Sequence, residues 1–273
     1  MRQDERAPFV QALERARVSA YAPGEFVGQE SFMRADEILA LAVEAGIGPG
    51  VTVLDLCCGV AGPGRHITRE LGCDYLGVDY SASAVGIAAE RAAGLTCRFE
   101  VREVPPVPAG PFDVVLLLET MLAFPDKHTL VHEIAGALSP DGRFAFTVEE
   151  GRPLTRDERT RMPDADTVWL TPLPDLLSVL RGAGLRVRWQ QELTGSHLAM
   201  VDSLLAAFAA DEHAITAQVG QRAHDELLAA HRLWSDWLGS GRVRKFALVA
   251  ERPATLAQAR ARLVRHRPVG TLA

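Results

Sequence analysis

Lysine is nearly missing from this sequence: Lys127 and Lys245 are the only two, although lysine and arginine together make up 29 of its 273 residues. An arginine skew of this kind is read more simply as a G+C-rich coding sequence than as a function. Basic residues form no block, and acidic ones outnumber them to give a net charge of −6. The electrostatic grip that nucleic-acid backbones or anionic membranes require is therefore lacking. Cysteine is scarce, at four residues. Cys57 and Cys58 are adjacent and no C-x-x-C pair exists, which leaves no basis for structural zinc, for a disulfide framework or for any other bound metal. No apolar run reaches the ~18 residues of a spanning helix, and the opening MRQDERAPFV has no apolar centre of a secretion signal. The expectation is a cytoplasmic protein with small-molecule or protein partners, without nucleic acid and without membrane. Its oligomeric state stays open, a homodimer included.

Hydrophobic residues, at 48% of the chain, suffice for a full core in one large domain with appendages. Helical spacing of Phe9, Val10, Leu13, Ala16 and Val18 predicts a first helix over 3–20, and the Tyr-Ala-Pro-Gly at 21–24 breaks it. A second helix is predicted over 31–44 with Ser31 as its cap. Short β-rich runs at 51–56, 75–79, 97–101, 112–118 and 143–148 then alternate with helical segments at 65–71, 81–93 and 126–138. That rhythm implies a doubly wound α/β core, because parallel neighbours need crossovers that cover both faces of the sheet. Residues 153–174 read as a Pro-rich loop, 174–183 as a helix and 185–192 as a sixth strand. Residues 194–243 read as a helical lid insertion, 245–250 as a last strand, and the Arg-rich tail from 254 as a fraying helix. The expected division is an N-terminal helical cap (1–48), a cofactor-binding core (49–193), the lid (194–243), and the last core strand with its tail (244–273).

The informative segment is Val53-Leu54-Asp55-Leu56-Cys57-Cys58-Gly59-Val60-Ala61-Gly62-Pro63-Gly64. A strand ending in Asp, then small residues and a helix, sets a carboxylate and free backbone N–H groups at the carboxyl edge of the sheet, where open α/β sheets bind ligands. Twenty residues past Gly59, Asp79 closes the next strand. A carboxylate there accepts hydrogen bonds from both hydroxyls of a ribose. The dinucleotide fingerprint G-x-G-x-x-G is missing, since the glycines fall at 59, 62 and 64. Asp55 would repel a pyrophosphate, yet it suits a ligand with an ammonium and a sulfonium, as in S-adenosylmethionine.

With these residues the sequence resembles the class I S-adenosylmethionine-dependent methyltransferases of the bacterial small-molecule branch, over residues 20–193 and 244–252. In their loop D-x-G-x-G-x-G, Asp55 and Gly59 match, while Cys57 and Ala61 replace the first and third glycines. Such replacements imply negative φ at Cys57 and Ala61, with Gly62 taking the positive φ. The resemblance implies a Rossmann-like seven-stranded sheet with an antiparallel last strand. It assigns the ribose to Asp79 in Gly-Val-Asp-Tyr-Ser, with Tyr80 beside it, and the adenine side to Arg102 and Glu103, where the family often has an Asp. Phe112-Asp113-Val114-Val115 leading to Glu119 resembles the fourth strand, whose end borders both cofactor and substrate. Leu138-Ser139-Pro140-Asp141-Gly142-Arg143 resembles the turn before the fifth strand. Tyr21 and Gln29 resemble the N-terminal segment that covers the methionine end in relatives.

Several residues carry two readings. His197, where the lid begins, is a general base or a surface cap. Glu149 and Glu150, after the fifth strand, hold a substrate amine or face solvent; with Glu119 they are the carboxylate candidates for proton removal. Met121, Phe124 and Trp169 are assigned to substrate contact. His128 and His132, four apart, lack a third ligand, and Trp234 and Trp237 read as lid packing. The function expected is methyl transfer to oxygen or nitrogen of a small, partly hydrophobic metabolite. The alternatives are an enzyme of this fold that uses the cofactor without methylating, an NAD(P)-dependent oxidoreductase, and a binding-only regulator.

Overall fold

The computed structural model describes residues 11–253. Those expectations that fall on residues 1–10, including Phe9 and Val10, and on the tail from 254 lie outside the described residues. In chain order the strands are β1 (Thr52–Leu56), β2 (Asp74–Asp79), β3 (Cys97–Val101), β4 (Phe112–Leu117), β5 (Leu138–Glu150), β6 (Arg186–Glu192) and β7 (Arg244–Glu251). The helices are α1 (Gln11–Ala20), α2 (Ala35–Glu44), α3 (Gly62–Leu71), α4 (Ala82–Arg91), α5 (Lys127–Ala137), α6 (Arg156–Arg161), α7 (Leu173–Gly182), α8 (Thr194–Ala210), α9 (Glu212–Val219) and α10 (Gln221–Gly239). They surround a seven-stranded sheet of order β3-β2-β1-β4-β5-β7-β6. β1 pairs in parallel with β2 and β4, whereas β7 runs antiparallel between β5 and β6.

Alternation along the central strands explains the layers. Leu54 and Leu56 of β1, with Val115 and Leu117 of β4, face a core closed by Leu130 and Ile134 of α5 and Leu176 and Leu180 of α7. The intervening Val53, Val114 and Leu116 face the opposite core, closed by Ile38 and Leu41 of α2 and Ile67 of α3. Strands buried on both faces read as continuous apolar runs, the pattern of parallel sheets, and each large side chain so buried stabilises the fold by about 1.5–3 kcal/mol. At the opposite end from the cavity described below, Asp113 fastens β4 to β1. It accepts hydrogen bonds from the Thr52 backbone N–H (3.0 Å) and hydroxyl (2.9 Å), which hold its carboxyl below the usual range.

The helical insertion builds two further apolar clusters. Val201, Leu233 and Trp237 pack with Leu154, Met162, Val168 and Leu170, while Leu204, Phe208, Ile215 and Leu228 pack with Ala12, Ala16 and Tyr21. α1 therefore rests on the insertion, not on the sheet. No helix among the described residues is long and apolar enough to cross a membrane.

Four local expectations are corrected. Ser31 does not cap α2, which begins at Ala35 with Arg34 as its N-cap residue and Glu37 accepting the Arg34 backbone N–H (3.0 Å); residues 28–33 are instead a covering loop. α3 starts at Gly62, earlier than Arg65, with Pro63 in its first turn where no N–H is needed. The 153–174 segment contains α6, secured by a capping box between Thr155 and Glu158. β5 begins at Leu138, because that residue already pairs with Phe112 ahead of a register shift. At the sheet's free edge, Arg186 (2.9 Å), Arg188 (3.6 Å) and Arg143 (3.8 Å) converge on Glu251.

The covering loop meets the core at Gly62, where a Cβ would lie 2.4 Å from the Gly28 carbonyl carbon and 2.7 Å from the Val27 oxygen. Gly62→Ala is expected to lower stability by about 1–3 kcal/mol through overpacking, read as a lower urea midpoint at unchanged slope. An unshifted midpoint would show that the loop does not bear on α3.

Candidate active site

Strand order reverses between β1 and β4, and a cavity of about 240 Å³ lies at their carboxyl ends. Its walls are the loop after β1 (Asp55, Cys57, Cys58, Gly59, Val60), the first turn of α3 (Gly62, Pro63), the residues after β4 (Leu118, Glu119, Thr120), and the cover (Gly28, Gln29, Glu30, Ser31, Met33). The cover is braced from within. Gln29, 2% exposed, accepts a hydrogen bond from the Val27 N–H (2.6 Å) and donates to the carbonyls of Glu25 (2.9 Å) and Met33 (2.8 Å). Tyr21 donates to the Ser31 carbonyl at 2.5 Å; burial, then the nearby Glu119 charge, raises its hydroxyl well above the ordinary value.

The turn after β1 bends in a way the sequence reading had reversed. Cys57 (φ 58°) and Ala61 (φ 53°) both occupy the left-handed region, as does Gly59 (φ 54°), whereas Gly62 does not. Gly62 is required for close approach, so the strain falls on the two residues that carry a Cβ. The cysteines are no nucleophiles: burial first, then Asp79 and Asp55, push the Cys57 thiol up to about 12, and burial with the same carboxylates raises Cys58 as well.

Asp55 is 3% exposed and accepts the Tyr75 hydroxyl at 2.5 Å. Burial pushes its carboxyl up to about 7, Tyr75 opposes the rise, and Asp79 adds to it. Gly64 makes this contact possible, since a Cβ there would lie 2.1 Å from the Tyr75 hydroxyl oxygen. Asp79 stands at the end of β2, outside the residues lining the cavity. Its two oxygens accept the backbone N–H groups of Gly59 and Ser81, each at 2.9 Å.

Glu119 also holds a left-handed backbone (φ 60°), with its N–H donated to the Thr147 hydroxyl at 2.7 Å. Its Oε1 lies 2.7 Å from Lys245 Nζ, and the same ammonium contacts Glu149 Oε1. Lys245 is 1% exposed. Burial favours its neutral form, but Glu119 and then Glu149 outweigh it and raise its pKa. For Glu119, burial is outweighed by Lys245 and its carboxyl is lowered; for Glu149, burial and the Glu119 charge prevail over Lys245 and its carboxyl is raised. Behind this ion cluster lies a second cavity of about 20 Å³, lined by Phe32, Glu149, His197, Trp234, Leu238 and Lys245. His197 is buried and is pushed down to about 4 by desolvation, so it is neutral at neutral pH.

The structure thus brings Gln29, Asp55, Cys57, Gly59 and Glu119 to the first cavity, and Glu149 and His197 to the second. Other expected site residues lie elsewhere. Tyr80 is exposed after Asp79, Arg102 reaches Glu100 at 3.4 Å on the surface, and Glu103 follows it outside both cavities. None of the four residues assigned to substrate contact lines either cavity. Met121 is fully buried in the sheet core and Phe124 packs against that core. Glu150 is engaged by Arg244 at 2.9 Å. Trp169 lies under the Arg159 guanidinium at 4.6 Å, and its carbonyl accepts from buried Lys127 at 2.7 Å. His128 and His132 stack on each other at 4.8 Å, and the described residues hold no group of three side chains that could bind a metal ion.

Sequence reasoning missed Lys245, Tyr75 and Phe32. One signal was available: in a chain whose other basic residues are arginines, both lysines are buried, at 5% and 1% exposure.

Residues 53–142 match the family described as methyltransferase domain. Over that stretch, about a third of the chain, it is similar to a methyltransferase domain. Phosphoethanolamine N-methyltransferase 3 of Arabidopsis thaliana is 32% identical over 120 residues, 42% of this chain and 24% of that protein. Cycloartenol-C-24-methyltransferase of the same plant is 29% identical over 180 residues, 60% of this chain and 53% of that one. The chain therefore spans between a quarter and a half of these relatives. Among solved structures, the cyclopropane synthase MmaA2 of Mycobacterium tuberculosis superposes with a TM-score of 0.73 at 14% identity, covering 89% of this chain and 95% of that one. The cyclase SpnF gives 0.69 at 19% identity, covering 89% and 93%. These two share the domain's fold.

The Asp55–Tyr75 contact has a pH signature. The folded-state pKa of Asp55, about 7, lies above the ordinary 3.8, so its contribution to stability is greatest in acid and is lost as pH rises through about 7. Tyr75→Phe removes the one donor to the ionised form and is expected to cost about 1–3 kcal/mol, with a larger loss of thermal stability at pH 8 than at pH 5.5. An equal loss at both would contradict this account.

Proposed function

We propose that the chain is an S-adenosylmethionine-dependent methyltransferase acting on an oxygen or nitrogen atom of a small metabolite. The observation that carries the reading is the first cavity, where two carboxylates, buried Asp55 and half-buried Glu119, face one space between a glycine-bearing turn and a braced cover. Buried negative charge of this kind favours a cationic ligand. The turn fits the group, since a Cβ at Gly59 would meet nothing within 4 Å.

The cofactor supplies a methyl carbon already activated on positively charged sulfur. The protein's part is to bind, orient, exclude water and handle a proton. Asp55 and Glu119 provide the negative field, and Tyr21 with Gln29 holds the cover in place. Asp79, whose oxygens each spend one lone pair on a backbone N–H, retains acceptor capacity for two ribose hydroxyls. Tyr80, Arg102 and Glu103, which follow β2 and β3, are assigned to the adenine side. Glu119, with Glu149 and His197 behind it, takes the proton of a hydroxyl or protonated amine. The apolar faces that the helical insertion turns inward, among them Trp234 and Leu238 with Phe32 of the cover, support a partly hydrophobic acceptor.

Asp79→Ala is expected to weaken S-adenosylmethionine binding at least ~10-fold, the scale of one or two charge-assisted hydrogen bonds, by calorimetric titration. Unchanged affinity would overturn the assignment. Wild-type affinity for this cation is expected to rise as pH passes through about 7, where Asp55 ionises. Release of S-adenosylhomocysteine on adding an acceptor distinguishes methyl transfer from a reaction that retains the cofactor, the reading that the likeness to a cyclase favours.

A further inference from the structure

Glu119, Lys245 and Glu149 form a buried row in which two carboxylates share one ammonium. Glu119 lines the first cavity, while Glu149 and Lys245 line the second. With both carboxylates ionised the row carries one net negative charge out of water. With one of them protonated it is neutral. The distant end has room for that proton: Glu149 Oε2 and His197 Nε2 are both buried without a hydrogen-bond partner. His197 Nε2 lies 3.8 Å from Glu37 on α2, an interaction requiring a charge that neutral His197 does not carry.

We propose that Glu149, reached across Lys245 from Glu119, is the seat of the proton that a hydroxyl- or amine-bearing acceptor loses, and that the charge on the bound cofactor's sulfur decides when this seat is empty. The inference rests on the function proposed above. A sulfonium beside Glu119 brings one positive charge, and the neighbourhood is then neutral with both carboxylates ionised. When the acceptor's lone pair forms its bond to the methyl carbon, the electrons of the carbon–sulfur bond remain on sulfur, which becomes neutral. The acceptor's proton passes to Glu119. Lys245 gives one of its protons to Glu149 and receives that of Glu119, so that Glu119 ends ionised, Lys245 ends as an ammonium and Glu149 ends as the acid. Charge is balanced before and after, and the proton leaves when the thioether product is exchanged for fresh sulfonium. Reciprocity of linked equilibria requires the same free energy in both directions.

The groups facing Glu149 from the surrounding elements are Lys245 on β7, Glu119 after β4, His197 on α8 and Lys127 at the start of α5. Burial sets the direction of the first stored state. It raises Glu149 despite Lys245, while Lys245 holds Glu119 down.

The test is titration calorimetry with S-adenosylmethionine and with S-adenosylhomocysteine in buffers of different ionisation enthalpy near pH 7. The sulfonium is expected to release more protons than the thioether, by a difference approaching one per site, and Glu149→Gln is expected to abolish the difference. Equal release from wild type would overturn the proposal. So would a difference that persists in Glu149→Gln, which would assign the proton to Asp55. If the variant does not fold, difference infrared spectroscopy of the wild-type complexes decides. A carboxylic-acid C=O band present with the thioether and missing with the sulfonium is expected, and no such band would overturn the idea. If neither compound binds, the methyltransferase reading fails and this inference falls with it; if both bind with equal proton release, this inference fails alone.

Discussion

Burial of negative charge at one end of the sheet is the constraint to which the rest of the site answers. Asp55 and Glu149 are buried there with Glu119 half-buried between them, and Lys245 is the ammonium that contacts both Glu119 and Glu149. Ionised groups in such surroundings cost several kcal/mol each unless they are compensated. The fold compensates only in part. Tyr75 serves Asp55, Thr147 fixes the backbone of Glu119, and Lys245 is held between its two partners. The remaining imbalance is what makes a positively charged guest welcome. Left-handed backbone at Cys57, Ala61 and Glu119 falls at this end as well, a clustering of strain typical of functional sites.

Tertiary design elsewhere follows from keeping that end shaped. α1 packs on α8 rather than on the strands, and the loop that follows it rests on α3 through the contact at Gly62. The cover is thereby carried between the helical insertion and α3. Arg242 adds a second fastening by gripping Glu158 through two nitrogens, at 2.7 and 3.0 Å, which keeps α6 beside the entrance to β7.

The fold was legible because it rests on local periodicity. Buried parallel strands announce themselves as unbroken apolar runs, and β1 and β4 were placed within a residue or two. The carboxylates at strand ends were legible for the same reason, since Asp55 and Asp79 are fixed by strand boundaries. What escaped depended on distance along the chain. Lys245 meets Glu149 across 96 residues, and the antiparallel pairing of β5 with β7 that brings them together is invisible to any local pattern. The handedness of the turn was misjudged because positive φ costs a residue with a Cβ about 1–2 kcal/mol, so the sequence assigns it to glycine, whereas here Cys57 and Ala61 bear it. Only the approach of residues 27 and 28 to Gly62 decides which residue must bend. The residues assigned to substrate contact fall outside both cavities for a related reason: nearness in sequence to the end of β4 is not nearness to the cavity, and Met121 turns into the core within two residues of Glu119.

The arginines gathered around Glu251 have a consequence for the molecule as a neighbour of its own copies. Among the described residues β6 ends the sheet, and the outer backbone of such an edge strand is a template for a strand of another chain. Arg186 and Arg188 flank that edge with guanidinium groups held by Glu251, and at the opposite border Arg98 and Glu100 of β3 stand exposed. An incoming strand would have to strip water from these charges on either side. Charge at both borders thus works against edge-to-edge pairing of one copy's sheet with another's.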